Sequence, residues 1–192
     1  MKPAVRKISR FKEITAMKKN VLVFGLVLGM ILALNILYMV HLLYNNPDFK
    51  GNDVLGYAAM VVVFSLTYFG IRNYRNKQLK GVISFGKAFK TGALIALLGS
   101  TIYVLVWLFY YYLFVPDFLD RYIMHVMDAT AKSGATAAEI ASKNAEMNQF
   151  REMYKSPLFV ILMTYAEVLP VGLVVTLISA LILKRKPAAA SV

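Results

Sequence analysis

VLVFGLVLGMILALNILYMVHLLY, residues 21–44, runs for 24 residues without a charged side chain. A helix needs roughly 20 apolar residues to cross the hydrocarbon core of a bilayer. A cleaved secretory leader instead has an apolar core of roughly 7–15 residues followed by a small-x-small cleavage site. This stretch is too long for such a core, and no such site follows it. It is therefore expected to be a retained first membrane span, entered from the basic run Lys2 to Lys19.

Three further stretches have the same character: 54–71, 92–114 and 157–183. Across all four the only acid is Glu167, the only histidine is His41, and no Lys or Arg occurs. The second is the shortest: its 18 residues reach about 27 Å at helical rise. Asp53 is placed to cap it, and Arg72 and Arg75 to snorkel at its end. The whole chain is 59% hydrophobic with a mean hydropathy of +0.59, outside the range of ordinary soluble domains. It contains no cysteine, which excludes disulfides, thiolate metal sites and thiol catalysis.

The net charge of +12 is unevenly distributed. Residues 1–20, 72–91 and 184–186 hold 16 of the 22 basic residues and a single acid, Glu13. The other two connectors hold six basic residues and eight acids. Loops rich in Lys and Arg stay on the cytoplasmic side, so both termini and the 72–91 connector are expected inside. The basic charge thus reads as a topology signal beside anionic lipid, with no nucleic-acid partner expected. Aromatic residues Trp107, Phe109, Tyr110, Tyr111, Tyr112 and Phe114, with Tyr38 and Tyr44, fall toward the outer ends of their spans, where the headgroup boundary favours such rings.

GVISFGKAFKTG, residues 81–92, carries Gly81, Gly86 and Lys87 at the spacing of a phosphate-binding loop. That loop also needs a preceding strand, a hydroxyl after the lysine for Mg²⁺ and a soluble helix. Here RNYRNKQLK precedes, Ala88 follows the lysine, and the next helix is a span, so no nucleotide is expected. Phe85 and Phe89 are four apart, so a short helix could press them into the inner leaflet.

Residues 116–156 read as an external helical hairpin. Phe118, Leu119, Tyr122, Ile123, Val126 and Met127 recur at helical spacing, and Ser133-Gly134 ends that helix. Thr136 and Glu139 form a capping box for a second helix with a thinner stripe of Ile140, Met147, Phe150 and Tyr154. His41 and His125 both lie toward this side, without the spacing of a metal motif.

Small residues mark helix contacts in lipid. Gly25 and Gly29 in the first span, and Gly172, Thr176 and Ala180 in the fourth, are candidate packing positions, serving either one bundle or a homodimer. Glu167 stands ten residues into the fourth span, about 15 Å at helical rise. Asn35, Ser65, Tyr103 and Thr101 fall near the same depth, which makes a candidate mid-membrane polar layer. Pro170, three residues on, frees the carbonyl of Ala166 and kinks the helix. Glu167 reads either as a neutral carboxyl bonded to Asn35 or a hydroxyl, fixing register, or as a proton or cation site beside a broken helix.

GVISFGKAFKTG entering a span, IYVLVWLFYYYLFVPDF after it, and EVLPVGLVVTLISALILKRK near the C-terminus together make the chain resemble the bacterial membrane proteins catalogued as domain of unknown function 4199. The resemblance covers about residues 20–186. It implies a four-span membrane protein and a glutamate-proline element, here Glu167 and Pro170, and assigns no catalytic or ligand residue. MKPAVRKISRFKEITAM reads as an addition to the short start usual in that family.

The expectation is an all-α, polytopic integral membrane protein: a basic segment 1–20, a four-helix transmembrane domain 21–186 with the hairpin between its third and fourth helices, and a short tail 187–192. Its expected place is the bacterial inner membrane, with both termini cytoplasmic. Its expected role is a non-enzymatic scaffold or accessory subunit, the alternative being a small proton-coupled transporter centred on Glu167. No cofactor or metal is expected; the bilayer and a membrane-protein partner or second copy are.

Overall fold

The structure, a computed structural model, describes residues 3–46 and 52–186, with the backbone alone for residues 3–11 and Asp53. Seven helices follow one another: α1 Pro3–Asn45, α2 Asp53–Phe64, α3 Leu66–Gln78, α4 Phe85–Leu113, α5 Phe118–Lys132, α6 Ala137–Tyr154 and α7 Pro157–Leu183. Four segments are long and apolar enough to cross a membrane: Lys12–Asn45, Val54–Gln78, Phe85–Leu113 and Pro157–Leu183. The chain is thus an all-α multi-pass membrane protein, with a helical hairpin, α5 and α6, between the third and fourth spans. The expected tail 187–192 lies outside the described residues.

The helices overrun the apolar stretches, and local chemistry explains where each stops. α1 opens with Pro3 in its first turn, where a missing N–H does no harm, and no glycine or further proline interrupts it before Gly25. The basic segment is therefore helical and continuous with the first span. The second span divides at Ser65, whose hydroxyl donates back to the carbonyl of Val62 at 2.6 Å. Thr67 does the same to Phe64 at 2.8 Å. Such back-bonding draws helical carbonyls away from the regular ladder and bends the helix. The cap of α2 is Asn52, whose side chain accepts from the N–H of Leu55, and Asp53 is already the first helical residue.

The basic connector is shorter than the composition suggests. α3 continues to Gln78, because RNYRNKQ contains no helix breaker, and α4 already begins at Phe85. Phe85 and Phe89, with stacked rings 6.0 Å apart, belong to the first turns of the third span and form no separate helix. The reversal between α3 and α4 turns on Lys80 and Gly81, at φ 53° and 84°. Glycine adopts that region freely and lysine does not, so the strain falls on Lys80. Ile83 then pairs antiparallel with Arg185, through N–H···O bonds of 3.1 and 2.8 Å.

Contacts divide the chain into two compact units, Met1–Tyr103 with Tyr165–Val192, and Val104–Thr164. In the first, Gly25 and Gly29 of α1 face Leu98 and Ile102 of α4, where an added Cβ would stand 2.7 Å from either side chain. Leu28 covers Gly99, Thr176 of α7 covers Gly92, and the ring of Phe64 covers Gly172. These small residues therefore pack the four spans of one chain against each other. A cluster of Ile71, Tyr74, Ile83, Ala88, Ala180 and Leu183 closes the basic end of this unit.

In the second unit, Trp107 and Tyr111 of α4 are buried, as are Leu119 and Ile123 of α5 and Met147 and Tyr154 of α6. The Trp107 ring meets Phe118 edge-on at 4.8 Å, and its N–H donates to the Tyr154 hydroxyl at 3.2 Å. Arg151 of α6 pairs with Asp120 of α5 at 2.8 Å. Of the aromatic run expected at the headgroup boundary, Phe109, Tyr112 and Phe114 are exposed, whereas Trp107 and Tyr111 face the hairpin helices. Gly134, at φ 81°, ends the first arm, and the reciprocal Thr136–Glu139 capping box opens the second.

Candidate functional site

Polar side chains of the first unit fall into two groups, one at mid-span and one at the basic end. At mid-span, Glu167 occupies an exposed position on α7, as do its helical neighbours Ala166 and Pro170. Asn35 is partly buried on α1. Ser65 is engaged with its own helix, and Tyr103 is buried at 4% exposure. One polar link between spans at this depth joins Thr101 of the expected layer to a residue that composition alone did not single out, Tyr165. Tyr165 donates its hydroxyl to Thr101 of α4 at 2.8 Å, and Thr101 donates on to the carbonyl of Leu97 at 2.8 Å. A tyrosine two residues before the acid was the available signal, but nothing in the pattern told which of the two faces the bundle.

Gly25, Gly29, Gly172 and Thr176 all lie at the helix contacts described above, and Pro170 remains inside a continuous α7. Ser100 and Thr176 are fully buried, and their hydroxyls lack a hydrogen-bond partner. A buried hydroxyl in that state carries a desolvation penalty that an apolar isostere would not.

The basic end is also bonded across helices. Glu13 of α1 pairs with Lys87 of α4 and accepts from the hydroxyl of Tyr74, which is 1% exposed, at 3.4 Å. The lysine of the phosphate-loop look-alike is therefore held by a carboxylate from another helix. On the next face of α1, Asn20, 7% exposed, donates to the carbonyl of Gly70 at 2.9 Å and accepts from Asn73 at 2.7 Å. Arg75 donates to the carbonyl of Leu183 at 3.2 Å, which ties α3 to the end of α7. Charge counting marks Glu13 as the lone acid of the basic segments, but its partners are 61 and 74 residues away and belong to the fold.

Beside this network a groove of about 720 Å³ opens between α1 and α3, lined by Lys12, Lys19, Asn20, Phe24, Asn73 and Lys77 among others. Among the described residues no cluster of three His, Cys, Asp or Glu side chains converges. His41 sits beside Asn45, 3.1 Å from its side-chain nitrogen, and His125 is partly buried on α5.

The family described as "Protein of unknown function (DUF4199)" matches the chain over residues 22–185. No curated protein and no solved structure matches it.

Proposed function

The chain belongs to this family of proteins of unknown function and carries four membrane-spanning segments, and from that premise we propose that it is a non-enzymatic accessory subunit or scaffold for another membrane protein. One observation carries the reading: Glu167, in the middle of α7, stands on an exposed face, while the small-residue contacts of its own spans are already filled. A polar side chain on such a face, in a run of exposed apolar residues, marks where a neighbouring span docks in one register.

We place the protein in the bacterial inner membrane with both termini in the cytoplasm, on the strength of the 16-to-6 division of basic residues. Lys80→Cys and Ser133→Cys test the orientation with an impermeant thiol reagent. Labelling of position 133 alone in intact cells is expected, and labelling of position 80 alone reverses it.

The accessory role is tested by affinity purification in mild detergent with quantitative mass spectrometry. A stoichiometric membrane partner is expected with the wild type and with Glu167→Gln, and its loss with Glu167→Leu. Retention in Glu167→Leu removes Glu167 from the interface. The Glu167–Pro170 element also favours a second reading, a small proton-coupled carrier. Proton-coupled flux in proteoliposomes that disappears in Glu167→Gln, with no partner recovered, would establish that reading instead.

A further inference from the structure

We propose that the groove between α1 and α3 binds the phosphate group of an anionic membrane phospholipid. Lys12 and Lys19, seven residues apart on one face of α1, and Lys77 of α3 converge on this groove, and all three are exposed. Among the described residues no carboxylate lines it, and no salt bridge engages any of the three. The nearest acid in sequence, Glu13, is held on another face by Lys87 and Tyr74. Three cations gathered without a counter-charge repel one another, and an anion relieves that repulsion.

The floor of the groove is set before any ligand arrives. Asn73 donates to Asn20, and Asn20 donates to the carbonyl of Gly70, which fixes both amides between the two helices. Each amide nitrogen carries two N–H groups and uses one in these bonds, so each keeps a donor for a phosphate oxygen. This combination of fixed amides and mobile ammonium groups suits a phosphodiester anion.

Position selects a lipid over a soluble phosphate. Lys19 lies two residues before the apolar run begins at Val21, and Lys77 lies in the last turn of α3. The groove therefore sits at headgroup depth, and its wall continues through Val23 and Phe24 into the span, where an acyl chain would lie. Basic pockets between spans are known to recognise phospholipid headgroups by this chemistry.

The test measures lipid retention by native mass spectrometry, with titration of the detergent-solubilised full chain by phosphatidylglycerol, phosphatidylcholine and inorganic phosphate. The wild type is expected to keep phosphatidylglycerol and release phosphatidylcholine. Removing one lysine should weaken binding roughly fivefold, and the triple variant Lys12→Gln, Lys19→Gln, Lys77→Gln on the order of 100-fold. The charge-matched control Lys80→Gln, Lys184→Gln, Lys186→Gln lies at the same end of the spans but outside the groove, and should bind as the wild type does. Equal weakening in both triple variants would reduce the effect to net charge and overturn the site. Saturation by inorganic phosphate at the concentration at which the lipid saturates would overturn the lipid assignment. Should the triple variant fail to fold, the single variants of these exposed lysines carry the same comparison at smaller amplitude, and unchanged binding in all three overturns the proposal.

Discussion

In the first unit, helices meet at glycine. Gly25, Gly29, Gly92, Gly99 and Gly172 each receive a large side chain from a neighbouring span. In the second unit the single glycine, Gly134, meets nothing within 4 Å and serves a turn. There, Trp107, Tyr111, Phe118 and Tyr154 pack ring against ring, with Arg151–Asp120 and the Thr136–Glu139 box at the polar edges. The difference follows from the solvent each part faces. Hydrocarbon gives no hydrophobic drive for one apolar helix to leave lipid for another, so close fit and occasional hydrogen bonds hold spans together. Where water is present, burial of aromatic area stabilises strongly and capping has consequences.

The sharpest way to break this comparison is Trp107→Ala. The ring is 3% exposed, and truncating a buried tryptophan costs about 3–5 kcal/mol. Hydrogen exchange should show α5 and α6 losing protection while the α1 and α3 amides keep theirs. Simultaneous loss in all four helices would mean that the units do not open separately.

Gly29→Leu is the converse experiment. The new side chain must displace Ile102, and overpacking of this kind costs about 1–3 kcal/mol. Reversible unfolding in mixed micelles should register the loss, with the protection pattern of α5 and α6 unchanged. A stability equal to wild type would show that the contact between α1 and α4 is loose.

Thr136→Ala removes the cap of α6 and should lower stability by about 1 kcal/mol, seen as fraying of the first turn by exchange. The same cap responds to pH. Hydrogen bonds from the Thr136 backbone N–H and hydroxyl hold the Glu139 carboxyl below its ordinary value. A carboxylate with a lowered folded pKa contributes fully above the unfolded value of 4.5, and that contribution fades as pH falls below it and through the folded value. Acidification should therefore fray α6 in the wild type and have less effect in Thr136→Ala.

The smallest effect is expected at Ser100→Ala. The hydroxyl is buried without a partner, so its removal should leave stability unchanged or raise it by up to about 1 kcal/mol, measured by thermal melting in detergent. A clear loss would show that the hydroxyl is bonded after all.

Membrane class, the number of spans and the hairpin were legible in the sequence because each follows from local chemistry. Uncharged runs of span length, Ser133-Gly134 followed by a capping box, and Pro157 at the head of α7 carry their meaning within a few residues. Helix ends were less legible, because RNYRNKQ and the basic segment before Val21 are good helix formers whatever their distance from the apolar run. What only the tertiary structure decided was the partner of each group. Glu167 and Tyr165 are two residues apart and differ by roughly 200° around the helix, so one can face a neighbouring span while the other faces outward. A mid-span link joins Tyr165 to Thr101, and Lys87 joins Glu13 across 74 residues. The same distinction applies to Lys12, Lys19 and Lys77: charge counting reads them as a topology signal, and the crossing of α1 and α3 gathers them into one groove. Hydropathy registers what each residue prefers as solvent, but the face of a helix that meets another is set by how all the spans fit together.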